Sequence, residues 1–128
     1  SLVGGASFQA EAAVISGGAV TESTNGGFLG TSYVNFPAAG GVLEFQNVSV
    51  SAGGDRTLRL RYALGTTGSR TGLLVVNGTA RSLTFNPTGS WTSWSDLDVT
   101  VPLNGGSNTI RLESTGQDLA NIDQLTLP

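Results

Sequence analysis

The sequence holds no histidine and no cysteine. Ser/His/Asp and Cys/His nucleophilic arrangements therefore cannot be built, and zinc and other transition metals lose their preferred ligands. What remains is oxygen chemistry: nine carboxylates, many amides and hydroxyls, and the backbone carbonyls. Such donors suit calcium. Asp123 is the most informative residue. In the last apolar run it shares the phase of Leu125 and Leu127, and a carboxylate on an apolar side is costly unless paired or metal-bound. Near the N-terminus Phe8, Ala10 and Ala12 take one strand phase while Gln9 and Glu11 take the other. First and last strands of a sandwich often neighbour each other. Gln9, Glu11 and Asp123 can then share one calcium with backbone carbonyls. The competing reading is that Asp123 caps a turn or pairs with an arginine.

A second group of residues has the chemistry of sugar recognition. Sugar C–H patches stack on aromatic faces, and hydroxyls need planar polar partners. Tyr33 follows the Gly-rich run Gly26–Ser32. Trp91 and Trp94 lie in Thr88-Gly89-Ser90-Trp91-Thr92-Ser93-Trp94. Projecting the next strand's alternation backwards puts Trp91 in phase with Leu97 and Val99, as core, and Trp94 outward. Arg70, at the end of a polar loop, offers a fork for hydroxyls or a carboxylate. Asn121 precedes the final strand. The bland alternatives are a core-capping Tyr33, a sandwich-edge Trp94, a solvated Arg70 and a turn-forming Asn121. Asp96 and Asp98 are the one pair spaced for two-carboxylate glycosidase chemistry, but their i, i+2 spacing on one strand face is the pattern of a solvated surface.

The elements that must position these groups are strands. Glycine pairs at 17–18, 26–27, 40–41, 53–54 and 105–106, with Asn77-Gly78, punctuate short apolar runs. Leu58, Leu60 and Tyr62 alternate with Arg59 and Arg61; Leu97, Val99 and Val101 alternate with Asp96, Asp98 and Thr100; Ile110 and Leu112 flank Arg111. Leu73–Val76 runs into a tight hairpin. No window sustains a helical apolar stripe. Eight to ten strands in 128 residues predict one all-β domain, a β-sandwich or jelly roll, with residues 1–5 as a linker remnant. Charged residues are only 12% of the chain, about half the usual share, so Ser, Thr, Asn and Gly must cover the surface. A net charge of −3 with no basic cluster argues against nucleic acid and anionic membranes. Asn47 and Asn77 head Asn-X-Ser/Thr triplets, to which no function is attached.

In order along the chain, these stretches resemble carbohydrate-binding modules of families 35 and 6: Phe8–Ala12, Gly27–Phe36, Thr57–Ala63, Val75–Gly78, Thr88–Trp94, Leu103–Leu112 and Asn121–Leu125. The resemblance implies a jelly roll and no catalysis. It implies a structural calcium at Gln9, Glu11 and Asp123, and a ligand site at one loop end built from Tyr33, Arg70, Trp94 and Asn121. Segments 65–70 and 27–36 resemble members that bind uronic acids, glucuronic or unsaturated galacturonic acid, through a second calcium. Glu22 and Asn25 are the positions here for that ion. The expectation is a secreted, monomeric, calcium-dependent module that targets an attached glycoside hydrolase to plant cell-wall polysaccharide. The alternatives are a neutral polysaccharide (mannan, xylan, galactan) or a protein-interaction sandwich, since the fold alone does not choose.

Overall fold

The computed structural model describes residues 6–128; the expected linker remnant at 1–5 lies outside the described residues. Eleven strands form two antiparallel sheets. One sheet runs β3 (Val20–Glu22), β4 (Tyr33–Asn35), β11 (Asn121–Thr126), β6 (Gly54–Ala63), β9 (Ser95–Leu103), with β1 (Ser7–Gln9) also on β11. The other runs β2 (Val14–Ser16), β5 (Ala39–Val50), β10 (Gly106–Thr115), β7 (Arg70–Val76), β8 (Thr79–Phe85). This is the jelly-roll sandwich that the spacing of the apolar runs predicts. Inward residues of the two sheets interleave in one core, with Leu58, Leu60 and Leu125 from the first sheet facing Leu43, Leu74, Ile110 and Leu112 from the second, all fully buried.

The first strand is shorter than its alternation suggests. It ends at Gln9, and Ala10–Ala12 close a single 3-10 turn. The last strand breaks its alternation, because Asn121, Ile122 and Asp123 are buried in succession. A register shift explains this. Ile122 pairs with Tyr62 and Gln124 with Arg61, so Asp123 is the extra residue of a β-bulge. On its other edge β11 pairs with β1 up to Gln124 and with β4 at Ile122. Asp123 thus sits where one neighbouring strand has stopped and the other has not begun.

At the opposite end Asn108, 1% exposed, replaces missing ladder bonds at a second register shift. Its amide donates to the carbonyls of Val48 (3.0 Å) and Asn104 (2.9 Å), and its Oδ1 accepts from the Asn104 amide (2.8 Å) and from Asn77 Nδ2 (2.8 Å). Asn108→Ala strands these buried partners and is expected to cost about 1–3 kcal/mol of unfolding free energy in a urea titration; an unchanged midpoint would show that water replaces the amide.

Candidate functional site

Two polar sites flank the loop between β3 and β4, residues 23–32. The first surrounds Asp123, which is fully buried. Its Oδ2 accepts from the Leu29 amide (2.9 Å) and from Arg61 Nη1. Glu11 Oε2 accepts from the Thr31 amide at 3.0 Å. Gln9 donates its Nε2 to Gln124 at 2.8 Å, which sets the orientation of its amide. Three oxygens are left: Gln9 Oε1, Glu11 Oε1 and Asp123 Oδ1 are buried and accept no hydrogen bond. Burial pushes the Asp123 carboxyl above the usual carboxylate range; Leu29 and Arg61 work against this and the neighbouring Glu11 charge reinforces it. Gly30, at φ +69°, closes the cluster: a Cβ there would meet Glu11 Oε2 and lie 3.1 Å from Gln9 Oε1.

Unpartnered buried acceptors are rare in native folds, and three from two carboxylates and one amide are the donor set of a hard cation. Among the described residues no three Asp, Glu, His or Cys side chains gather at one point, so the amide completes the set. These residues fit calcium. They also satisfy part of the competing expectation, because Asp123 does pair with an arginine.

The second site is a cavity of about 180 Å³ at the loop end, lined by Glu22, Asn25, Asn35, Arg70, Trp91, Asp118, Leu119 and Asn121. The ends of β3, β4, β7 and β11, the loop between β3 and β4, and the loops before β9 and β11 supply them. Of the residues singled out in the sequence, Glu22, Asn25, Arg70 and Asn121 meet here. Tyr33 and Trp94 do not line it. Tyr33 has no exposed surface, so its ring cannot stack on a ligand. Its phenol donates to Glu22 Oε1 (2.7 Å) and accepts from Asn25 Nδ2 (3.0 Å); burial and the Glu22 bond raise its pKa. Tyr33 supports the wall from behind. Trp94 is half-buried, its ring edge-on to Tyr33 with centroids 5.3 Å apart, its indole N–H given to the Gly26 carbonyl at 2.9 Å.

Trp91 packs against the core, as strand phase predicts, but its half-buried ring is also the aromatic of the cavity, which strand phase does not predict. That projection assumed an extended chain back from Leu97, whereas β9 starts at Ser95 and Trp91 sits in a turn. Its indole packs on Gly65, where a Cβ would come within 2.6 Å of Cγ and Nε1. Asn35 and Asp118 were also missed. Asn35 donates to Glu22 Oε2 (2.9 Å). Arg70 donates to the Asp118 carbonyl (3.0 Å), with the Asp118 carboxylate at 3.8 Å. Asn35 falls in a short strand with no distinguishing pattern, and Asp118 follows Gly116 in what reads as an ordinary turn.

Asp96 and Asp98 face solvent opposite Arg61 and Arg59, and Asp98 takes a two-bond fork from Arg59 (2.8 and 3.0 Å). That arginine holds the Asp98 carboxyl below its ordinary range. The pair is a charge ladder on an open face. A larger groove, about 450 Å³, runs along Phe8, Val14, Phe45 and Gln46. It has no arginine, so size and polar chemistry point to different places, and the chemistry favours the loop-end cavity.

The profile of the carbohydrate binding module (family 6) matches residues 9–128. The chain belongs to that family. Its likeness in solved structures is to the family 35 branch: a family 35 carbohydrate binding module from Clostridium thermocellum is 36% identical with a TM-score of 0.89, covering 95% of each chain. Endo-1,4-beta-xylanase B of Cellvibrio japonicus is 34% identical over 83% of this chain and 18% of its own length. Exo-beta-D-glucosaminidase of Amycolatopsis orientalis is 38% identical over 94% of this chain and 12% of its own. The chain thus spans under a fifth of these relatives, and it is a binding module. No helix among the described residues is long and apolar enough to cross a membrane.

Gly65→Ala should displace Trp91 and weaken sugar binding by about tenfold with little change in melting temperature. Unaltered affinity would remove Trp91 from the site.

Proposed function

We propose that the module binds a uronic acid, glucuronic or unsaturated galacturonic acid, at the loop-end cavity with the help of calcium, as part of a secreted enzyme acting on plant cell-wall polysaccharide. The observation that carries the reading is the convergence of Arg70, Trp91 and Asn121 with Glu22, Asn25 and Asn35 around one small space. Trp91 gives an apolar face, Arg70 and Asn121 give hydrogen bonds to the ring's polar edge, and Glu22, Asn25 and Asn35 hold a cation. Charge explains the need for that ion. Two carboxylates, Glu22 and Asp118, face one guanidinium, Arg70, so a bare sugar carboxylate meets net repulsion. A cation between Glu22 and the ligand reverses the sign. The cluster at Gln9, Glu11 and Asp123 is the structural calcium site in this reading.

The size of the cavity fits one ring rather than a chain. It is about 180 Å³, below the ~300 Å³ of ordinary ligand pockets, and few buried atoms mean weak binding, with a dissociation constant of roughly micromolar to millimolar. A neutral sugar is the second reading, favoured by the contact that already engages Arg70 with Asp118.

Calorimetric titration with glucuronic acid, in calcium and then in excess chelator, separates the two, with mannose and xylose oligomers as controls. The expected result is heat with glucuronic acid that vanishes on chelation while a parallel melt shows the protein still folded. Heat only from a neutral oligomer, whether or not calcium is present, would discard the carboxylate mechanism. Asn121→Ala and Trp91→Ala should each weaken binding by at least about tenfold. Chelation alone should lower the melting temperature of the ligand-free protein through the structural ion; an identical melt with and without calcium would remove that ion.

A further inference from the structure

The loop 23–32 carries residues of both sites and is hydrogen-bonded to each. At its C-terminal half the Leu29 amide is held by Asp123 and the Thr31 amide by Glu11 (2.9 and 3.0 Å). At its N-terminal half Asn25 reaches the cavity and is held through Tyr33. Between them lie Gly26 and Gly27. The Gly26 carbonyl accepts from Trp94 Nε1 (2.9 Å) and the Gly27 carbonyl from Arg61 Nη2 (2.9 Å). Gly27, at φ +97°, presses on the indole: a Cβ there would lie 2.8 Å from Trp94 Cδ1. The Arg61 guanidinium sits 5.3 Å from the Trp94 ring centre and also pairs with Asp123. One arginine therefore touches the buried carboxylate, the loop and the tryptophan.

We propose that Trp94 and Arg61 are positioning residues that couple the oxygen cluster at Gln9, Glu11 and Asp123 to the sugar cavity through the loop 25–31. This rests on the sugar reading of the cavity. The physical reason is competition for Asp123. Arg61 holds Asp123 Oδ2 and leaves Oδ1 unpartnered, so a cation held by the cluster would draw on the same carboxylate and change how tightly Arg61 is drawn to Asp123. Arg61 is bonded to Gly27 and stacked on Trp94, so the change reaches Gly26 and hence Asn25. Trp94 never touches the ligand; it acts through Asn25.

The protein has two tryptophans, which makes each side readable alone. In Trp91→Phe the only indole is Trp94, and calcium titration should shift its emission. Glu11→Gln in that background should abolish the shift, while Glu22→Gln should leave it. Emission indifferent to calcium, or a shift lost only with Glu22→Gln, would overturn the coupling. The second arm is a double-mutant cycle on glucuronic acid and xylose-oligomer binding in saturating calcium. Trp94→Phe should weaken binding of whichever sugar the wild type takes up by about fivefold, the loss of one hydrogen bond. In Asn25→Ala the same substitution should cost less than about twofold. Equal losses in both backgrounds, with unchanged melts, would show that Trp94 acts independently of Asn25. If Trp91→Ala and Asn121→Ala bind as wild type, it is the cavity assignment that fails, and the calcium-dependent emission of Trp94 decides the coupling without it.

Discussion

A carboxylate with no solvent exposure organises this end of the molecule. Burying the Asp123 charge is costly unless the charge is compensated, and the fold meets that demand on one oxygen with the Leu29 amide and the Arg61 guanidinium, while the other faces the unpartnered oxygens of Gln9 and Glu11. The bulge at Asp123 is what turns the residue inward beside Ile122. Without the bulge, either the carboxylate or the isoleucine would point to the wrong face. The gap between β1 and β4 along β11 leaves Asp123 without a ladder partner on that edge.

The same demand shapes the loop-end cavity. Because Leu29 and Thr31 are tied to the two carboxylates, the loop before β4 is drawn over the end of the sheet, and Asn25 lands at the mouth of the cavity. Tyr33 is spent on this architecture. Its phenol ties Glu22 and Asn25 into a rigid wall, which prepares their oxygens before a ligand arrives and limits the ordering cost of binding. Such preparation matters more in a cavity of this size than in a large interface.

Much of the fold was legible because the physics of the sandwich is periodic. Alternations at Leu58–Tyr62, Leu97–Val101 and Ile110–Leu112 lie in β6, β9 and β10 with the inward phase expected. Asp123 stood out as a charge in an apolar phase, and that anomaly leads to a cluster of unpartnered oxygens. Site residues borne by loops were less legible. Trp91 packs against the core as its phase suggested, yet it also lines the cavity that Trp94 does not, because strand phase does not propagate through a turn. The platform role of Tyr33 came from the family resemblance, whereas its burial against Phe28 and Trp94 is that of the core-capping tyrosine, the competing reading of the residue. Asp118 and Asn35 gain meaning only from the neighbours the fold brings to them.

The most direct test is a crystal structure grown with calcium and glucuronic acid, with anomalous data to locate calcium. The account predicts an anomalous peak about 2.3–2.6 Å from Gln9 Oε1, Glu11 Oε1 and Asp123 Oδ1, with the sugar against Trp91, Arg70 and Asn121. A water or a rearranged Arg61 filling the cluster, or a sugar lodged in the Phe8–Phe45 groove, would contradict it.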